Sequence, residues 1–181
     1  FLNASVVAEG AGPCRWRCGS CALVGPSGRL LGLGLGGRID AHECVWRLNL
    51  AKVDGFEADV GNRTTVRFTS HVGASRLPKV ARGDEPFLFA FANDGREATV
   101  TAAIRSWQRR WPGRAICRFA PSVAVAENDA EYARLSGAPR VNTNSWISTG
   151  WFALYAAIHT CERISMFGFG VKCETVQDRS Y

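Results

Sequence analysis

Four groups of residues in this chain could do chemistry. His42, His71 and His159 are the side chains suited to moving a proton near neutral pH. Gly25-Pro26-Ser27-Gly28 follows an apolar run, and small residues there let an anionic ligand approach backbone N–H groups. Asn49 closes a second apolar run, and a carboxamide donates and accepts at once, which suits both phosphate and base edges. Ser148-Thr149-Gly150 opens a helical pattern, where hydroxyls and unpaired N–H groups can meet an anion or a ribose. Each group also has a plain structural reading. The glycine turn can be a bare loop, Asn49 a strand-end turn residue, and Ser148 or Thr149 a helix N-cap. His159 stands one turn before a helix end, where a capping or packed role is open to it as well as that of a base.

Two other patterns invite cofactor chemistry. Gly32, Gly34 and Gly37 satisfy G-x-G-x-x-G, the spacing of a dinucleotide site. That fingerprint belongs immediately after a strand, whereas these glycines begin later, and Asp54, Glu57 and Asp59 fall in a loop-like segment. A dinucleotide-dependent oxidoreductase is therefore a minor reading. Seven cysteines stand at positions 14, 18, 21, 44, 117, 161 and 173. Only Cys18-x-x-Cys21 has zinc-like spacing and no second such pair follows, so zinc is disfavoured. The odd, fairly high count permits disulfides with one thiol left over. No Asp-x-Asp occurs, so a common way of holding a divalent ion against a diphosphate leaving group is missing.

These residues need a framework, and the chain has one domain's worth. Its 181 residues are 46% hydrophobic and 21% charged, enough for a sizeable core. The formal net charge is +6, and arginine supplies nineteen of the twenty-two basic residues. Such a surface suits an anionic ligand; with no aromatic-basic stripe, nucleic acid is disfavoured as a partner. Residues 1–19 read as a loop or extended lead-in. Apolar runs predict strands at 21–25, 44–49, 64–70, 86–92, 114–120 and 163–169. Helical spacing predicts helices near 37–43 and over 97–111, 122–136 and 149–161. Alternating strands and helices imply an α/β layered domain with a mostly parallel sheet, whose ligands lie beyond the carboxyl ends of the strands. The turn after 21–25 and the loop before Thr149 then fall at candidate ligand edges.

Residues 21–70 contain Ile39-Asp40-x-x-Glu43-Cys44-Val45-x-Arg47-x-Asn49 and Asp59-Val60-Gly61-Asn62-Arg63-Thr64. Residues 144–170 contain Asn144-x-Trp146-x-Ser148-Thr149-Gly150-Trp151-Phe152. The two blocks resemble the long and short sialylmotifs of animal-type sialyltransferases, and their wording is most similar to the N-acetylgalactosaminide alpha-2,6-sialyltransferases. The resemblance is strong over roughly half of the chain and loose between the blocks.

The resemblance implies a Rossmann-like, GT-A-like domain over 21–181, preceded by a stem segment at 1–20. It implies transfer of sialic acid from CMP-sialic acid, with inversion and without metal or other cofactor, to an N-acetylgalactosamine or galactose hydroxyl of a glycoprotein or glycolipid glycan. Ser27, Gly28, Asn49, Ser148, Thr149 and Gly150 would contact the donor, and Asn144 and Trp146 would lie near donor or acceptor. Arg47 would belong to the same motif or make a structural ion pair. Many family members carry Asn or Ser where this chain has Pro26, which lacks a backbone donor. The family pairs Cys21 with Cys161; an additional Cys18–Cys173 bridge is possible in this branch, and Cys44 and Cys117 can pair or stay buried. The family's histidine motifs lie downstream of the second block, so the chain reaching only Tyr181 reads as a fragment lacking its catalytic base and transferring little sialic acid. The full-length protein would be a single-pass type II protein of the Golgi membrane, its domain in the lumen. The sequons Asn3-Ala4-Ser5 and Asn62-Arg63-Thr64 fit a secretory chain, although folding can hide Asn62. A noncatalytic nucleotide- or glycan-binding protein on the same scaffold is the main alternative.

Overall fold

The computed structural model describes residues 6–8, 17–70, 87–91, 97–113, 115–119, 121–139 and 148–170. Seven strands form one sheet: β1 Val6–Ala8, β2 Cys21–Val24, β3 Cys44–Leu48, β4 Val66–Ser70, β5 Phe87–Phe91, β6 Ala115–Phe119 and β7 Ile164–Phe167. Among the described residues five helices accompany them: α1 Gly36–Asp40, α2 Glu57–Val60, α3 Glu97–Arg110, α4 Pro121–Ser136 and α5 Thr149–Ile158. The order across the sheet is β1-β6-β5-β4-β3-β2-β7. Every pairing is parallel except β1 with β6. This is the α/β layered fold with a mostly parallel sheet that the alternation of patterns implies.

Period-two alternation assigns the two faces. Leu23, Trp46, Leu48, Val66 and Phe68 point to one side and bury against Phe152, Ala153, Ala156 and Ala157 of α5. Small residues on α5 let it lie close to the sheet, and Trp46 stacks on Phe68 with centroids 6.3 Å apart. Ala22, Val24 and Val45 point to the other side and pack with Leu30, Ile39 and Val60. Helices on both faces explain why β2, β3 and β4 are buried along their whole length.

Three elements escape the sequence patterns. Within the lead-in segment, Val6–Ala8 is an antiparallel edge strand. Gly28–Leu30 is a single 3-10 turn, and Glu57–Val60 is a four-residue helix. All are too short to show a period.

The disulfides correct part of the sequence reading. Cys21 is bonded to Cys161, 140 residues away, as the resemblance implies. Cys18 is bonded to Cys44, not to Cys173, and Cys44 is therefore not the partner of Cys117. Cys44 stands opposite Cys21 in the β2–β3 register, and the chain from Cys18 to Cys21 runs beside 160–163. Four sulfurs thus meet at one corner of the sheet. Both thiols of the Cys18-x-x-Cys21 pair are consumed in these bonds, which removes the zinc reading. Cys117 is disulfide-bonded as well; Cys14 and Cys173 lie outside the described residues. Among the described residues no helix is long and apolar enough to cross a membrane.

Candidate functional site

Chain connections define where a ligand fits. From β2 the chain steps outward through β3, β4, β5 and β6, then returns to place β7 on the opposite flank of β2. The connections leaving β2 and entering β7 lie on opposite sides, and in sheets of this kind the ligand crevice belongs at the carboxyl ends of two such strands. The turn Gly25–Gly28 leaves β2 there, Asn49 ends β3 there, and Gly168–Phe169–Gly170 leaves β7 there. α5 runs back along the sheet, so its N-terminus, with Ser148, Thr149 and Gly150, faces the same edge. Segments 120 residues apart in sequence meet at one edge of the fold.

Close packing holds these pieces together. Gly25 N–H donates to the Phe167 carbonyl at 2.9 Å. A Cβ on Gly150 would stand 2.9 Å from Cε1 of Phe169, and one on Gly25 would stand 3.7 Å from Cε2 of the same ring. The Phe169 ring therefore fills the space between the first turn and the start of α5. A Cβ on Gly170 would meet the Arg29 guanidinium, which brings a positive charge to this edge. Neither Phe169 nor Arg29 was marked by a local pattern; only the switch in strand order points to them.

Ser27 is 7% exposed, and its hydroxyl oxygen accepts from Arg29 N–H at 3.3 Å, capping the 3-10 turn. The capping reading and the ligand reading meet here, with Gly28 the more open of the two. Ser148 is the N-cap of α5, accepting from Trp151 N–H at 3.2 Å. Helix geometry leaves the Thr149 and Gly150 N–H groups without an intrahelical acceptor. They stand at the positive end of the helix dipole, a setting that favours an anion.

Asn49 is held in the left-handed region at φ +48°, which Asn tolerates better than most residues. Its N–H donates to the Phe68 carbonyl at 2.7 Å, and its Oδ1 accepts from Ser70 N–H at 3.2 Å. Arg67 reaches over to donate to the Asn49 carbonyl at 3.2 Å and the Ala51 carbonyl at 2.6 Å. Asn49 is thereby fixed from three directions, twice through its backbone and once through its side chain. Arg67 pairs in register with Arg47, and both are fully buried. Arg47 donates to the carbonyls of Val60, Gly61 and Arg63 and to the Thr64 hydroxyl. A planar guanidinium can satisfy such a fan of oxygens, so Arg47 organises the loop into β4 and is not presented to the crevice.

The glycines of the G-x-G-x-x-G pattern are already engaged. Gly32 and Gly34 have φ of +77° and +62°. Their N–H groups both donate to the Asp59 carboxylate at 2.8 Å. These two bonds hold the Asp59 carboxyl below the usual carboxylate range. A side-chain anion occupies the place where a pyrophosphate would have to sit, which contradicts the dinucleotide reading.

Both described histidines lie away from the crevice. His42 follows α1, its Nδ1 near the Arg38 and Ile39 carbonyls and its Nε2 2.9 Å from the Ser165 hydroxyl. His159 is the C-cap of α5 and packs edge-on against Tyr155. The ten residues of α5 span ~15 Å, so His159 is a full helix length from Ser148. The Cys21–Cys161 bond is also at that far end. It ties the amino end of β2 to the segment after α5, fixing the elements whose opposite ends carry the crevice. Asn144, Trp146 and His71 lie outside the described residues.

The family model described as Glycosyltransferase family 29 (sialyltransferase) matches residues 7–87 and 130–181. An alpha-N-acetyl-neuraminyl-2,3-beta-galactosyl-1,3-N-acetyl-galactosaminide alpha-2,6-sialyltransferase of Homo sapiens is 34% identical over 181 residues, covering 93% of this chain and 59% of that protein. A CMP-N-acetylneuraminate-beta-galactosamide-alpha-2,3-sialyltransferase 2 of Mus musculus is 30% identical over 171 residues, covering 91% and 48%. The chain thus spans half to three fifths of the length of these relatives. A crystal structure of a mammalian sialyltransferase in complex with Gal-beta-1-3GalNAc-ortho-nitrophenol superposes with a TM-score of 0.63 at 24% identity, covering 91% of this chain and 60% of that one. That likeness shows the fold, and the match of the family model over both blocks shows the rest: the chain belongs to glycosyltransferase family 29, the sialyltransferases.

Proposed function

We propose that this chain carries the donor site of an enzyme transferring sialic acid from CMP-sialic acid to an N-acetylgalactosamine or galactose hydroxyl of a glycoprotein or glycolipid glycan in the Golgi lumen. The observation that supports it best is convergence. The first glycine turn, Asn49 and the N-terminus of α5 meet at the one edge where the strand order reverses. CMP-sialic acid presents a single phosphate and a carboxylate. The Thr149 and Gly150 N–H groups offer an anion two donors, and Arg29 adds positive charge nearby. Asn49 would meet the nucleotide with its Nδ2 donor, since its Oδ1 is engaged by Ser70.

In the transfer, the acceptor hydroxyl attacks the anomeric carbon, the bond to the phosphate oxygen breaks with inversion, and CMP departs. Donors fixed beforehand stabilise the charge growing on that phosphate. A monophosphate leaving group and a chain without Asp-x-Asp both suit transfer without a metal. The proton of the attacking hydroxyl goes to a base outside the described residues, because His42 and His159 stand at the wrong edge.

Asn49→Asp tests the reading by calorimetric titration with CMP. Aspartate keeps the Oδ acceptor for Ser70 and tolerates a left-handed backbone, so the fold is retained. It loses the Nδ2 donor and adds a negative charge. Loss of a hydrogen bond to a charged group, about 1.5–3 kcal/mol, corresponds to roughly ten- to hundredfold weaker CMP binding. Unchanged binding would remove Asn49 from the site. Failure of the unaltered protein to bind CMP would remove the site itself.

A further inference from the structure

We infer that Asn62 is an N-glycosylation site whose modification must precede closure of the fold. Asn62 is exposed, on the turn that leads from α2 into β4. It approaches the amino end of β4, opposite the crevice, so a glycan there would leave the crevice open. The two disulfides Cys18–Cys44 and Cys21–Cys161 place the folding chain in an oxidising compartment, where the Asn-x-Thr sequon is read. In the reaction the Asn62 amide nitrogen bonds to the anomeric carbon of a lipid-pyrophosphate-linked oligosaccharide. The carbon–oxygen bond to the pyrophosphate breaks, the lipid pyrophosphate leaves with the electron pair, and the amide nitrogen gives up a proton to solvent.

The folded sequon is in no state to be read. The Asn62 and Arg63 N–H groups donate to the two Asp40 carboxylate oxygens at 2.7 and 3.0 Å. The Arg63 guanidinium holds the carbonyls of Asp40, His42 and Glu43. The Thr64 hydroxyl, which a sequon must present, accepts from Arg47 Nε at 3.0 Å. Gly61 before it is locked at φ +77° against Asp40. Reaching a transferase would require undoing every one of these contacts, so glycan attachment and folding compete for the same residues.

The full chain secreted from mammalian cells, mapped by peptide mass spectrometry with and without peptide N-glycosidase, tests this. The peptide containing residue 62 should carry a glycan. Asn62→Gln should lose that glycan and leave the Thr64–Arg47 contact intact, and Thr64→Ser should retain both glycan and hydroxyl. A pulse of reductant during synthesis, which delays the disulfides, should raise the occupied fraction. A residue-62 peptide unmodified under both conditions overturns the site. Occupancy unchanged by reductant, or added to the purified folded chain by the transferase in vitro, overturns the ordering.

Discussion

Two neighbouring glycines in α1 give a matched test of how tightly the layer beside β2 is packed. A Cβ on Gly36 would fall on the Glu57 carbonyl oxygen and 2.7 Å from that of Ala58, whereas a Cβ on Gly37 meets nothing within 4 Å. Both glycines are in the same helix and neither has positive φ. Alanine at either site gains about 0.4–1 kcal/mol from the less flexible unfolded chain. At Gly37 that gain stands alone. At Gly36 the obstructing atoms are backbone, so relief requires moving α2. That in turn strains the Asp59 bonds to Gly32 and Gly34 and the packing of Ile39 against Val60. Overpacking of this kind costs about 1–3 kcal/mol. The gain is common to both variants and cancels, so the expected separation between Gly37→Ala and Gly36→Ala is the overpacking cost, about 1–3 kcal/mol. At roughly 2–4 °C per kcal/mol for a chain of this size, the midpoints should differ by several degrees, with Gly37→Ala at or above the parent. Thermal unfolding followed by circular dichroism at fixed pH reads this directly. Equal midpoints for the two variants would refute the close approach of α1 to α2.

Other consequences follow from single contacts. Ser148→Ala removes the α5 cap and should lower stability by about 1 kcal/mol, while Ser148→Asp, which keeps an acceptor for Trp151 N–H, should recover most of it in denaturant titrations. Because the folded Asp59 carboxyl lies below its usual range, its contribution is present above the unfolded pKa of about 3.9 and is lost as pH falls through the folded value. Asp59→Asn should flatten the acid limb of a stability-versus-pH curve, and an unchanged limb would count against the clasp. Burial pushes the Tyr155 hydroxyl up to about 12, with Glu127 adding to it, so Tyr155→Phe should remove a late, high-pH component from the ultraviolet titration. Replacing Cys21 and Cys161 together by serine should cost about 5 kcal/mol in the chain-entropy model for a loop this long, more than the ~3.5 kcal/mol expected for the shorter Cys18–Cys44 loop.

Much of the framework was legible because its signals are periodic. The apolar runs at 21–25, 44–49 and 64–70 and the helical spacing at 97–111 and 149–161 coincide with β2, β3, β4, α3 and α5 to within a few residues. What was not legible depends on neighbours distant in sequence. The φ of Asn49 is set by Arg67, Phe68 and Ser70, and no local pattern announces that arginine. Phe169 looks like an ordinary strand-end aromatic until β7 is placed beside β2. Cys18 chose Cys44 because the β2–β3 register brings Cys44 to the corner where Cys18 arrives, and register is invisible before the strands are paired. Asn62 was read as a residue that folding can hide; its side chain is exposed, and folding instead engages the backbone and the Thr64 hydroxyl of its sequon.

The strings that make the family recognisable divide into two kinds of work. In Ile39-Asp40-x-x-Glu43 and Asp59-Val60-Gly61-Asn62-Arg63-Thr64, nearly every side chain is bound to another part of the same layer. Asp59 holds two glycines, Asp40 two N–H groups, Arg63 three carbonyls, and Thr64 receives Arg47. None of these side chains has to touch a ligand to be indispensable. The residues that would offer a ligand polar groups at the crevice are few, Gly28, Asn49, Thr149 and Gly150, set beside Arg29 and Phe169. Substituting the first kind should lower stability and donor binding together, whereas Asn49→Asp, which keeps the Oδ acceptor for Ser70, should lower donor binding at constant stability. A variant at Arg63 that left the unfolding midpoint intact and abolished CMP binding would break this division, because its guanidinium would then be acting on a ligand from the opposite end of the sheet.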